Sequence, residues 1–77
     1  MKKGKFYKMY YKGEEFTCQY MGREKNFECL VCGKGCNAHC FNVFNTKEEY
    51  NMSMYETFSF GQEHLPKLIE IQESEIK

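Results

Sequence analysis

The chain has 77 residues, with 11 basic and 11 acidic side chains and a formal net charge of zero. That length argues for one domain, and the charge balance argues against a strongly basic nucleic-acid protein. Such a chain buries only about 60–65% of the surface it exposes when unfolded, so its core is thin. Seven Phe and six Tyr stand against few aliphatic residues, which makes an aromatic core that would gain from a metal, a disulfide or a partner.

The charges are unevenly placed. Lys2, Lys3, Lys5, Lys8 and Lys12 occupy a first segment without acids, whereas seven Glu from Glu48 onward face only Lys67 and Lys77. The basic start lacks the apolar run of roughly 7–15 residues that follows in a secretory signal. No stretch approaches the roughly 18 apolar residues of a membrane span. The expectation is a cytoplasmic protein with no membrane contact, in which clustered cysteines serve as metal ligands rather than as a disulfide framework.

Taken in order, residues 1–4 read as a loose tail on a single zinc-binding domain covering 1–77. Residues 5–11 alternate and are rich in aromatics, which predicts a strand. Lys12-Gly13-Glu14-Glu15 is a turn signal. Phe16-Thr17-Cys18-Gln19-Tyr20 alternates again, Met21 to Asn26 reads as a hairpin loop, and Phe27 to Val31 reads as the return strand. Symmetric pairing about the Arg23–Glu24 bond would set Cys18 opposite Cys29, with Cβ atoms about 4.5–5.5 Å apart. A slip of one residue would move Cys18 to the other face.

Cys40 to Phe44 predicts another strand, and Asn45 to Glu49 a polar connection. Tyr50, Met52, Met54, Phe58 and Phe60 mark a strand bent near Glu56. Beyond Gly61, Pro66 can open a short helix carrying Leu65, Leu68, Ile69 and Ile76, or Lys67 to Ile71 can form a short strand; the helix is the preferred reading. The fold class is therefore a small β-rich domain, α+β at most. Its antiparallel hairpins would be stapled by a zinc knuckle, with a short C-terminal helix.

The chemistry concentrates in Cys29-Leu30-Val31-Cys32-Gly33-Lys34-Gly35-Cys36-Asn37-Ala38-His39-Cys40. Two thiolates three residues apart on a glycine-bearing turn can grip one ion. Cys29 and Cys32 are the first two ligands, and Cys18 is the third by the hairpin argument. His39 is the chosen fourth, because Cys36 follows Cys32 too soon and Cys40 points to the opposite side of a strand from His39. Cys36 or Cys40 remain alternatives. The resulting Cys₃His set is a structural zinc shell with one Zn²⁺ per chain and no open position for catalysis. Iron fits less well, since the cysteine spacing matches neither common ferredoxin run. The stretch Cys29 to Gly35 resembles the knuckle shared by zinc-ribbon and rubredoxin-like proteins, although the second knuckle of those folds is absent. The small, aromatic-rich chain also resembles the small proteins of phages and mobile elements.

The functional expectation is a non-enzymatic, zinc-stabilised module that binds another macromolecule, a protein in the first instance, as a phage-type inhibitor or adaptor does. The alternative is a nucleic-acid-binding zinc protein. It would stack bases and pair phosphates along the basic aromatic strand through Lys5, Tyr7, Lys8, Tyr10 and Lys12.

Overall fold

The computed structural model describes residues 1–25, 27–33 and 37–76. Its architecture is a small single domain dominated by one five-stranded antiparallel sheet. The strands are β1 (Phe6–Tyr11), β2 (Glu14–Glu24), β3 (Ala38–Phe44), β4 (Glu56–Phe60) and β5 (Lys67–Ile71), ordered β4-β3-β2-β1-β5 across the sheet. Among the described residues one short α-helix, α1 (Lys47–Asn51), lies between β3 and β4, and two 3-10 turns, Gln62–His64 and Glu73–Glu75, flank β5. None of the described helices is long and apolar enough to cross a membrane.

The turn between β1 and β2 is built from Lys12 and Gly13, both at positive φ, 52° and 77°. Tyr11 and Glu14 pair directly across it. Two consecutive left-handed residues make a type I′ turn, whose twist matches that of the strands it joins. Glycine adopts that conformation without cost and lysine does not. Lys12→Asn is therefore expected to raise stability by several tenths of a kcal/mol, because Asn tolerates the left-handed region better. Thermal unfolding of the variant beside the parent measures it.

Strand alternation divides the side chains between two faces. One face carries the larger cluster, centred on Tyr7, Met9, Cys18, Tyr20, Phe41 and Phe60. The other carries Phe6, Phe44 and Ile76, with Tyr50 of α1 packed edge-on against the Phe6 ring at 5.3 Å between centroids. The core is thus aromatic on both sides.

β2 does not end at Tyr20: it runs to Glu24 with a bulge between Tyr20 and Gly22, where Met21 is the extra residue. Its partners are β1 and β3, so no hairpin forms with Phe27 to Val31, and Cys18 pairs with Tyr7 and Val43 instead of Cys29. Phe27 to Val31 contains only an isolated bridge at Glu28 and then turns. Pairing with β3 buries Phe41, Val43 and Phe44 against β2, which the short Phe27 segment could not match. The strand expected from Tyr50 is helix as far as Asn51, and only Glu56–Phe60 is extended. The C-terminal helix is replaced by β5, which pairs with β1 from Phe6↔Ile71 to Tyr10↔Lys67. As a strand, Leu68 joins the larger cluster while Ile71 reaches the smaller one on the opposite face. At the N-terminus, the Gly4 amide donates to the Tyr20 carbonyl at 2.8 Å.

Candidate functional site at the Cys29–Cys32 turn

The segment after β2 crosses to the far edge of the sheet. There the Leu30 amide donates to the Ser59 carbonyl of β4 at 2.9 Å, and the Ser59 hydroxyl donates to the Glu28 carbonyl at 2.5 Å. These bonds fix Cys29 just before a tight turn. The turn closes with the Gly33 amide on the Cys29 carbonyl at 2.8 Å, and Gly33 has φ 71°, where a side chain would be strained.

Cys29 is buried, with 2% of its surface exposed, whereas Cys32 is exposed. Burial alone would disfavour a Cys29 thiolate. Against it, the backbone amides of Gly61, Cys32 and Val31 and the Cys32 thiol all donate to the Cys29 sulfur, and together they bring its pKa down to about 7. Two thiols on one tight turn are the pair that the zinc expectation needs first. Zinc–thiolate bonds of about 2.3 Å suit such a pair.

The remaining expected ligands lie elsewhere. Cys18 is fully buried in the larger cluster, donating to the Tyr7 carbonyl at 3.5 Å, and burial pushes its thiol up to about 12 against the opposing pull of Lys8. His39 shares that face of the sheet. Its Nε2 lies 2.7 Å from Gln62 Oε1, which can only accept, so the proton sits on Nε2 and Nδ1 accepts from the Tyr20 hydroxyl at 2.8 Å. Both ring nitrogens are engaged, and ligation would break one of these bonds. Cys40 points to the opposite face, its thiol donating to the Ala38 carbonyl at 3.7 Å; burial raises its pKa, as does Glu24. Cys36 lies outside the described residues. Among the described residues, no three His, Cys, Asp or Glu side chains gather into a metal-holding cluster. The structure thus brings Cys29 and Cys32 together and leaves Cys18 and His39 in hydrogen bonds of their own.

The Tyr20–His39–Gln62 chain escaped the sequence reading. Tyr20 and His39 sit on different strands, and only the β2–β3 register brings them together. Tyr20→Phe removes the donor to a buried ring nitrogen, and is expected to cost about 1–3 kcal/mol. The midpoint of urea unfolding measures that loss.

Beside Cys32 lies a cavity of about 320 Å³ lined by Arg23, Asn37, Gly61, Gln62, Glu63 and His64. The Arg23 guanidinium donates twice to the Asn37 carbonyl, at 2.9 and 2.7 Å. Of the residues expected to meet nucleic acid, Tyr7 is buried in the core. Lys8 bonds the Thr17 hydroxyl at 2.8 Å and stands 3.5 Å from Glu15. Tyr10 remains exposed. No protein-family model, curated protein or solved structure matches this chain.

Proposed function

We propose that this chain is a non-enzymatic binding module that engages another protein along the β4 edge of its sheet, with the Cys29–Cys32 turn held by a zinc ion. The observation that carries this reading is where the exposed apolar side chains fall. Phe27, Leu30 and Val31 are 42–51% exposed at the end of β4 that the turn covers, and Met52, Met54 and Tyr55 are 39–61% exposed just before its other end. Side chains of this size clustered at an edge strand mark a recognition surface more readily than scattered ones do.

At the Glu56 end, a cavity of about 540 Å³ is lined by the apolar Phe16, Val43, Phe44, Met54 and Phe58 and by the acidic Glu49 and Glu56, among others. An apolar segment carrying a basic residue complements that lining, and an extended segment can also use the open backbone of an edge strand. Zinc on Cys29 and Cys32 would order the turn that presents Leu30 and Val31. Cys18 and His39 complete a four-ligand shell only by giving up their present hydrogen bonds.

The test is a selection of displayed random peptides on the full chain. The expected binders are apolar and basic. They should lose binding to Met54→Asp combined with Tyr55→Asp, or to Leu30→Asp combined with Val31→Asp, while the circular dichroism of both double variants stays that of the parent. Binders indifferent to both would refute the β4 surface. Metal analysis of native protein tests the zinc separately. Absence of binding to mixed single-stranded DNA at low salt separates this reading from a nucleic-acid one.

A further inference from the structure

We propose that Cys29 and Cys32 form a thiol–disulfide switch, closed by a small carboxylate-bearing disulfide that enters the cavity beside Cys32. Both cysteines are unbridged, and they stand three residues apart on one tight turn, the spacing at which two sulfurs can reach each other. Their exposures differ in the way a two-step exchange needs. Cys32 is at the surface, open to a reagent, whereas Cys29 is buried and shielded from one. The turn between them is closed by the Gly33 amide on the Cys29 carbonyl, which holds the pair in register.

The cavity explains the choice of reagent. Cys32 forms part of its wall, with Arg23 and His64 also lining it, and about 320 Å³ accommodates one arm of a small peptide disulfide. The Arg23 guanidinium in the same lining keeps donors to spare after bonding the Asn37 carbonyl and favours a reagent carrying carboxylates, against the single opposing carboxylate of Glu63.

The Cys32 sulfur attacks one sulfur of the reagent; a mixed disulfide forms on Cys32, the reagent's S–S bond breaks, and the first thiol leaves with the Cys32 proton. The Cys29 sulfur then attacks the Cys32 sulfur. The Cys29–Cys32 bond forms, the mixed disulfide breaks, and the second thiol leaves with the Cys29 proton. Two protein thiols are oxidised to one disulfide, and the reagent disulfide is reduced to two thiols. The bridge consumes the sulfurs that the zinc reading assigns to the metal, so bridge and metal exclude one another. The switch does not depend on zinc being bound.

The experiment treats chelator-stripped full-length protein with oxidised glutathione and follows intact mass and peptide maps. The expected product lacks two hydrogens, carries no adduct, and is linked Cys29 to Cys32. Cys29→Ser should stop at a glutathione adduct on Cys32, and Cys32→Ser should leave Cys29 unmodified. A persistent adduct on wild-type Cys32, a bridge to any other cysteine, or rapid adduct formation on Cys29 in Cys32→Ser would each overturn the proposal. Repeating the reaction on protein loaded with zinc keeps the two readings apart. If the protein takes up no zinc yet forms the bridge, the metal reading fails and the switch stands. If it holds zinc but forms no bridge after stripping, the reverse holds.

Discussion

Phe41→Ala is expected to cost about 3–5 kcal/mol, the range for truncating a buried aromatic side chain that leaves a cavity. Phe41 is completely buried at the centre of β3, the strand between β2 and β4. Its ring stands 5.3 Å from Tyr20 and 6.2 Å from Phe60, centroid to centroid. Neighbours held by a hydrogen-bonded sheet on both sides cannot collapse into the gap, which places the loss at the upper part of the range. At roughly 0.05–0.15 kcal/mol per residue, the whole domain is stable by only about 4–12 kcal/mol. The variant should therefore lose a third or more of that stability, and at the lower end be unfolded at room temperature. Tyr10→Ala, at an exposed position near the end of β1, serves as the comparison and should change little. Urea unfolding followed by circular dichroism decides, and a loss under about 1 kcal/mol for Phe41→Ala would contradict the central packing.

The strands that a reader of the sequence finds are those whose two faces differ in chemistry. β1, the first half of β2, and β3 alternate visibly, and each appears within a few residues of where alternation places it. β2 outruns its pattern because a bulge at Met21 lets the chain continue past glycine and charge, which read as a loop. Phe27, Leu30 and Val31 misled for the opposite reason. Phe27 and Val31 alternate with Cys29 as in a strand, yet both are exposed, as is Leu30, and local pattern cannot tell a core face from a recognition surface. Helix α1 carried a legible mark: Thr46 accepts from the Glu49 amide at 3.1 Å, the cap that a Thr followed three residues later by Glu announces. Five residues of helix leave too little periodicity to confirm it. The β5–β1 pairing joins the two ends of the chain, and nothing local encodes a contact of that separation.

The same distinction runs through the site. The turn from Cys29 to Gly33 was legible because a turn is local, and it closes with the Gly33 amide on the Cys29 carbonyl. Cys18 was assigned by a register that β2 spends on β3 instead. Gly61, whose amide helps to hold the Cys29 sulfur, comes from the end of a different strand and had no signal of its own.

Cys18 and Cys29 should consequently fail in different ways when substituted. Cys29→Ser and Cys32→Ser are expected to abolish zinc binding, because each removes half of the only thiol pair the described residues bring together. Apparent zinc affinities of peptide sites are worth about 10–16 kcal/mol, so loss of a ligand pair is a large effect in a metal titration. The five-stranded sheet should survive both changes, since both aromatic clusters lie outside the turn. Cys18→Ala should instead keep its zinc and lose about 1 kcal/mol of stability, the cost of a small buried group. A second signature separates them. Burial raises the Cys18 thiol in the folded protein from 9.0 to about 12, with Lys8 opposing. A raised folded pKa leaves stability intact below the unfolded value near 9. As pH climbs from there toward 12, the unfolded chain releases the proton first and stability falls. Cys18→Ala should lack that component of the alkaline decline, while Cys29→Ser retains it. If Cys18→Ala loses its metal, Cys18 is a ligand after all and must leave the core to bind.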